Sequence, residues 1–514
     1  MSEVVSLPVS RRGSWPWRLT VLADRYRRWC LGGAFLLLLL GFNGQWRPET
    51  DSAVHATIAR HLAEGRGFTH PNGDGGWANP GVPYLVATTF RLFGVDVMWP
   101  AVAIMLCFAA GTLALTYLWV GLHTRRGVAV IVTVMLAINS TFYRHALNVS
   151  ADTPFLFGLM LSLVGYELMQ RTDRRGVMGL VLIGLGMGLM AAFRIVSLVV
   201  GAALLITFLV EAIRRLEWRP LAAAALVLVV SIAVRALDPR ASDSSGLFPK
   251  ESQAVHYSED RQGGTLHHAV RVQLPYLLSD VAPNALLGNQ LYSQSIILDG
   301  LITIVMFSGT FMLLRRRWLW GLIVSLFLIQ WLLYWSVPRY FLPIIPILIF
   351  GWWRFTRWVA WLAIPHRVAY RVAAFLFILY VGMNLGRTAG FVIEQRSLPF
   401  IVQYRGGDYE GIMELGRELR RLTPPGAWLL TPGKWRTILT FASDRRAASA
   451  TLGSLPADQD PSTVYVLEPS DEPTRQMLKS RGWELSEPIC SFKRSSDRAP
   501  LTVHRVRTST GAVP

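Results

Sequence analysis

Apolar runs long enough, or nearly long enough, to span a bilayer recur along this 514-residue chain, and no other feature restricts its fold so strongly. A spanning helix needs about 20 apolar residues, because only an internally hydrogen-bonded backbone can carry peptide groups through hydrocarbon. The runs begin near Trp29, Met98, Gly127, Asp152, Val177, Ile195, Pro220, Ser295, Trp318, Tyr340 and Arg371, each bounded by charged residues, Pro or Gly. The expected fold is an α-helical polytopic membrane protein of about eleven spans. Composition agrees: 52% of residues are hydrophobic and 16% charged, with a mean hydropathy of +0.36.

The charges set the orientation. Lys and Arg total 51 against 33 Asp and Glu, a formal net charge of +18. They lie in short runs between apolar stretches rather than on one soluble face, which argues against nucleic acid and for loops facing anionic headgroups. Arg11, Arg12, Arg25, Arg27 and Arg28, the His123-Thr124-Arg125-Arg126 turn, residues 171–175, Arg214, Arg215 and Arg219, Arg315-Arg316-Arg317, and Arg354 with Arg357 fall on alternate connections. That side is expected to be the cytoplasm, with the N-terminus on it. The opposite connections are residues 45–97, 143–151, Phe193-Arg194, 238–294 and 336–339, and an odd number of spans places the C-terminal segment outside as well. A bacterial inner or plasma membrane is the expected location. The basic leader before Leu31 reads as an uncleaved signal anchor, since Asn43-Gly44-Gln45 offers no small-x-small cleavage site. Cys30, Cys107 and Cys490 make no spaced disulfide framework.

Two domains are expected: a membrane domain over residues 1–390, with outer loops 45–97 and 238–294, and a soluble extracytoplasmic α/β domain over 391–514. In the latter, Thr423-Pro424-Pro425-Gly426 precedes the strand-like Ala427-Trp428-Leu429-Leu430. Val464-Tyr465-Val466-Leu467 reads as a second strand, and residues 411–421 and 472–480 as helices. No internal repeat of the kind that marks transporters is present.

Chemistry-bearing residues gather in the outer loops. Residues 50–65 read as an amphipathic helix along the membrane surface, with Thr50 as N-cap, a Val54, Ile58 and Leu62 stripe, and Gly65 as stop. Asp51 falls in its first turn, where exposed amides and the helix dipole favour a carboxylate ready to accept a proton, and His55 shares its face. The plainer alternative is that Asp51 completes the cap and His55 is solvated. The Gly- and Pro-rich residues 66–84 then turn back toward the bilayer. In the second outer loop, Arg144, His145 and Asp152 stand at the mouth of two spans, where Asp152 equally suits a helix cap. Asn139-Ser140-Thr141 and Asn148-Val149-Ser150 match glycosylation sequons but lie too near the bilayer for that use. Arg194 and Arg235 lie in or beside apolar runs and each needs an anionic partner or a wet cavity. Arg339, before Tyr340, is placed to meet a lipid phosphate, or simply snorkels. His256, His267 and His268 lie in the long 238–294 segment, where they are solvated or, alternatively, bind substrate or metal.

These pieces resemble the membrane glycosyltransferases of the C superfamily (GT-C), in the branch of protein O-mannosyltransferases and the aminoarabinose transferase of lipid A. The resemblance rests on Asp51 after the first span with Ile58-Ala59-Arg60-His61-Leu62-Ala63-Glu64-Gly65 behind it, the Pro80-Gly81-Val82-Pro83-Tyr84 return, the 143–152 loop, Arg339-Tyr340-Phe341-Leu342-Pro343, and Thr423-Pro424-Pro425-Gly426. It implies a polyprenyl-phosphate sugar as donor, an extracytoplasmic lipid, glycan or protein acceptor, inversion at the sugar carbon, Asp51 as general base, Asp152 as second acidic position, and Arg339 toward the carrier phosphate. His55, Arg144, His145, Arg194 and Tyr340 complete the expected substrate-binding set. The resemblance implies no soluble cofactor and leaves a divalent metal possible but unassigned. Two departures stand out. Ser52 replaces the second acid that often follows the first, and Ala78-Asn79 replaces a Glu-Lys pair of the lipid A branch, which removes a zinc ligand and argues against aminoarabinose transfer. The alternatives are a transporter, which would line mid-span positions with ionisable residues, and a non-catalytic membrane scaffold.

Overall fold

Runs without β-alternation, rich in Leu, Ala, Met and Gly, become helices in the computed structural model, which describes residues 15–508 except 47, 73–77, 96, 171–174, 238–268, 288–295, 315–317, 334–337, 362–365, 398–410, 450–454, 457 and 493–498. His256, His267, His268 and most of the expected 238–294 loop lie outside the described residues, as does the side chain of Arg235. The chain forms two compact units, Met1–Asn43 with Ala103–Ile393, and Gly44–Val102 with Glu394–Pro514. The segment expected as a loop of the membrane domain thus groups with the C-terminal segment.

Four described helices are long and apolar enough to cross a membrane: Trp99–His123, of which residues 103–123 belong to the first unit, and Gly176–Phe193, Ser197–Arg214 and Arg367–Ile393 within it. The bent pair Arg126–Ile138 and Ser140–Ala146, broken by 67°, makes a fifth if the two together are one span rather than a re-entrant loop. Trp218–Val234, Ile302–Leu313 and Trp318–Leu332 are shorter apolar helices. Within this unit helices meet through glycine. A Cβ on Gly158 would stand 2.8 Å from the Gly186 carbonyl oxygen, and one on Gly165 2.7 Å from that of Gly179. The Asp152–Met169 and Arg175–Phe193 helices therefore pack backbone to backbone. Lipid gives little hydrophobic drive between helices, so this close dispersion contact supplies much of the attraction.

The bend at Asn139 corrects the expected loop, for the chain is helical through Ala146. The Asn139 side chain accepts from the Phe142 amide at 2.9 Å, restarting the helix, and donates to the Leu286 carbonyl at 3.0 Å. Asn384 accepts from the Ser140 amide at 3.0 Å and donates to the Leu286 carbonyl at 2.8 Å, while Tyr380 donates to the Met135 carbonyl at 3.1 Å. All three side chains are fully buried, and the groups released by the break are met by side chains of the His366–Ser397 helix and of Asn139 itself.

In the second unit, Thr50–Ala63 is a helix whose N-cap is Glu49 rather than Thr50, with Glu49 and Ser52 forming a reciprocal capping box. It is no surface helix: every residue from Ser52 to Leu62 is buried, His55 included. The sheet has the order β2-β1-β3-β5-β4, from β1 (Trp428–Leu430), β2 (Arg446–Ala448), β3 (Val464–Glu468), β4 (Trp483–Phe492) and β5 (Leu501–Thr508). The first three strands are parallel and β5 and β4 add antiparallel. Buried Arg445 donates to the Thr423 hydroxyl at 3.0 Å and to the Thr423 and Arg420 carbonyls at 2.6 and 2.7 Å. It thereby caps the carbonyl end of the Ile412–Leu422 helix, where a cation is favoured.

Gly186→Ala drives a methyl group into the Gly158 carbonyl and Ser162 hydroxyl, and should cost about 1–3 kcal/mol. Gly382→Ala, whose Cβ would meet nothing within 4 Å, should be neutral or gain up to about 1 kcal/mol. Thermal melting of both variants in detergent checks the contrast.

Candidate functional site

The acidic start of the Asp152–Met169 helix is one of the places where the first unit buries an ionisable group; Glu167, facing His123, and Glu211, accepting from Tyr166 and Gln170, are others. Asp152 is buried at 3% exposure and does not cap this helix, whose N-cap Ala151 makes no side-chain bond. It pairs instead with Arg194, in the turn that follows Phe193. Removing either partner would strand a buried charge, a change that typically costs about 3–5 kcal/mol. The Arg194 guanidinium also lies over the Tyr340 ring at 5.1 Å from its centroid, and Arg339 lies over the same ring at 5.3 Å. Two cations thus share one aromatic ring. Tyr340 belongs to the 3-10 segment Pro338–Ile344, held in place by Phe341 stacking on Trp331 at 4.0 Å. Thr153 donates to the His145 carbonyl at 2.8 Å, folding the turn after Ala146 onto the start of the Asp152 helix. His145 is buried and Arg144 half-buried on the preceding helix.

The structure therefore brings together Asp152, Arg194, Arg339 and Tyr340, with His145 tied to this group through Thr153. Asp51 and His55 belong to the other unit. Asp51 is partly exposed in the first turn of the Thr50–Ala63 helix, and His55 is buried along it.

The second unit holds a polar cluster that the sequence reading passed over. His61 bonds to Thr69 Oγ1 at 2.8 Å through Nδ1 and to Asp444 Oδ1 at 3.0 Å through Nε2. Arg66 donates to Asp444 Oδ2 at 2.9 Å. Asn72 donates to the Thr440 hydroxyl at 3.2 Å and accepts from the Ala447 amide at 2.8 Å, while Arg60 donates to the Phe441 carbonyl. Burial, the largest influence on Asp444, raises its carboxyl pKa, but the hydrogen bonds and charges of His61 and Arg66 outweigh it and hold the group at about 2. Burial first, then the nearby positive charges of His61 and Arg436, lower the His70 imidazole to about 3 against the weaker pull of Asp444. Local sequence carries no sign of these links: His61 and Asp444 lie 383 positions apart. Among the described residues, no three His, Cys, Asp or Glu side chains gather as metal ligands.

Between its ordinary value of 6.5 and about 3, the unfolded chain takes up a proton at His70 that the folded chain refuses. Stability should therefore fall as pH drops through that interval, and Asp444 should add a further loss below 3.8, its ordinary value. Thermal midpoints measured from pH 8 to 4 should decline by several degrees in the wild type and markedly less in His70→Gln.

Comparisons with known proteins fit this architecture. Residues 70–236 match the family model described as dolichyl-phosphate-mannose-protein mannosyltransferase, a segment that includes Asp152 and Arg194 but not Asp51 or Arg339. No curated protein matches the chain by sequence. Among solved structures, ArnT from Cupriavidus metallidurans in the apo state is similar over 96% of this chain and 100% of its own, with TM-score 0.60 and 13% identity. The same protein bound to undecaprenyl phosphate gives TM-score 0.58 at 13% identity, with the same coverage of both chains. The Archaeoglobus fulgidus oligosaccharyltransferase AglB, in complex with an inhibitory peptide and a dolichol-phosphate, gives TM-score 0.51 at 12% identity over 83% of this chain and 65% of its own. With a matching family model and neighbours of one superfamily, the chain has the fold of the GT-C membrane glycosyltransferases, the superfamily its motifs resemble.

Proposed function

We propose that this protein transfers a sugar from a polyprenyl-phosphate donor to an extracytoplasmic acceptor, with inversion at the sugar carbon. The observation that carries the reading is the Asp152, Arg194, Tyr340 and Arg339 group: a buried ion pair and a second cation on one ring, inside a largely apolar unit. An ionisable cluster at such a place needs a use, and a lipid-linked phosphate is a ligand that reaches it from the bilayer and matches its charge. The neighbours' undecaprenyl phosphate and dolichol-phosphate complexes support the same class of ligand.

In this reading the acceptor's hydroxyl or amine attacks the sugar carbon as its proton passes to Asp51, partly exposed at a helix N-terminus. The bond from that carbon to the phosphate oxygen breaks, and polyprenyl phosphate departs with the electron pair. Arg194 and Arg339 stabilise the charge that grows on it, while Asp152 holds Arg194 in place. Arg144 and His145 support the phosphate-binding group from the preceding helix, and His55 remains a substrate-binding candidate on the resemblance alone. The described residues offer no ligand set for a divalent metal, and no step here is routed through one. The arrangement in the membrane follows from the charge pattern: about eleven spans, a cytoplasmic N-terminus and an extracytoplasmic C-terminal α/β domain. The protein acts on the outer face of a bacterial inner or plasma membrane.

The test is transfer from a panel of polyprenyl-phosphate sugars to membrane acceptors by the purified protein in nanodiscs. Wild type should transfer at least one sugar, and Asp51→Asn should lower kcat by about 100-fold or more while binding of polyprenyl phosphate is unchanged. Equal rates in the two proteins would move the base to another residue, Asp152 first. A wild type inert toward every donor would remove the transferase reading.

A further inference from the structure

Asn148 is the described residue whose side-chain amide is buried with both its nitrogen and its oxygen lacking a hydrogen-bond partner. It is 0% exposed, and Ser150, 5% exposed, likewise has a hydroxyl with no partner. The two other fully buried asparagines of the same unit, Asn139 and Asn384, also at 0% exposure, each make several bonds, and among the described residues Asn148 alone leaves both amide atoms without one. A buried amide without partners is costly in an apolar unit, so a fold that keeps one holds it for something other than stability.

The place of these groups suggests their use. Asn148 and Ser150 occupy the short turn between the Ser140–Ala146 and Asp152–Met169 helices. That turn is tightened by backbone bonds, from the Asn148 backbone N–H to the His145 carbonyl at 3.2 Å and from the Ser150 backbone N–H to the Asn148 backbone carbonyl at 2.9 Å. The Thr153 hydroxyl on the His145 carbonyl closes it onto Asp152. The two orphaned side chains therefore share one turn with the acid that pairs with Arg194.

We infer that Asn148 and Ser150 form the sugar-recognising part of the donor site, an inference that rests on the proposed transferase reading. The division of labour follows from chemistry. Guanidinium groups suit a phosphate, whereas a neutral amide, with two donors and an accepting oxygen, and a hydroxyl suit the hydroxyl groups of an uncharged sugar ring. Such groups discriminate between sugars strongly, because a ring lacking the matching hydroxyl leaves them unpaired again.

The experiment compares binding of undecaprenyl phosphate with binding of undecaprenyl phosphate carrying each of a panel of neutral hexoses, in wild type, Asn148→Leu and Ser150→Ala. Thermal stability without ligand is measured alongside. Wild type should bind at least one sugar-bearing lipid more tightly than the bare phosphate. Asn148→Leu should lose that increment, about 10-fold or more in affinity, while keeping its affinity for undecaprenyl phosphate and its ligand-free melting temperature. Ser150→Ala should lose a smaller part of the same increment. A wild type that binds bare and sugar-bearing lipid equally overturns the subsite but leaves the lipid-phosphate reading intact, and one that binds neither overturns both. If Asn148→Leu melts well below wild type yet Ser150→Ala keeps the full sugar increment, the amide serves the fold through trapped water and the inference fails.

Discussion

Hydrocarbon offers no hydrogen bonds, and the first unit is organised by that constraint. Where the Arg126–Ile138 helix breaks, the freed groups meet Asn139 and Asn384, while Tyr380 and Thr388 donate to the carbonyls of Met135 and Ile138 at 3.1 and 2.9 Å. Where helices pass closest, glycines remove the side chains so that dispersion can act over the backbone. Against this thrift, the turn at residues 147–152 is one of several exceptions, and the one that gathers an acid, an amide and a hydroxyl within six residues. It buries an acid that must import Arg194 to be tolerable, and beside it an amide and a hydroxyl with no protein partner at all. Such violations of local consistency are expected where a chain serves chemistry rather than its own stability.

The second unit solves a different problem, joining segments far apart in sequence. Its Thr50–Ala63 helix is too thoroughly buried to be held by one apolar stripe, and it is tied to the Arg436–Ser443 helix by polar contacts. His61 reaches Asp444, which sits just past the end of that helix in a left-handed conformation with φ of 55°. Arg60 reaches the Phe441 carbonyl and lies over its ring at 4.5 Å. The capping box at Glu49 and Ser52 fixes where the helix begins, and so places Asp51 in its first turn rather than in the loop before it.

How much of this was legible in the sequence depended on whether a signal was local. Long apolar runs, basic turns and the Thr423-Pro424-Pro425-Gly426 break are local, and from them the helical membrane architecture and the strands at Trp428 and Val464 could be read. The need of Arg194 for an anion was also legible, because its cost in an apolar run is local; its choice of Asp152 was not. The N-cap was placed at Thr50 because Thr is a common cap, whereas Glu49 wins through its reciprocal bond with Ser52. Residues 143–146, the end of the Ser140–Ala146 helix, read as loop in the sequence because the restart depends on the Asn139 side chain, not on periodicity. Strands β4 and β5 are not legible because β4, at the sheet edge, has no fully buried residue and β5 carries charged residues, so neither shows a clean apolar alternation. The His61, Asp444 and Arg66 cluster and the orphaned state of Asn148 are facts about partners, which a single sequence does not display.

The account turns on whether the group around Tyr340 holds a lipid-linked phosphate, and photocrosslinking tests that most directly. A polyprenyl phosphate with a photoreactive group beside its phosphate would be bound to the purified protein in nanodiscs, and the labelled peptides read by mass spectrometry. The account predicts labelling of Pro338–Ile344 and of residues 147–153, competed by unlabelled undecaprenyl phosphate and lost in a variant lacking both Arg194 and Arg339 guanidinium groups but still folded. Competable labelling confined to other helices, with these segments untouched, would contradict it.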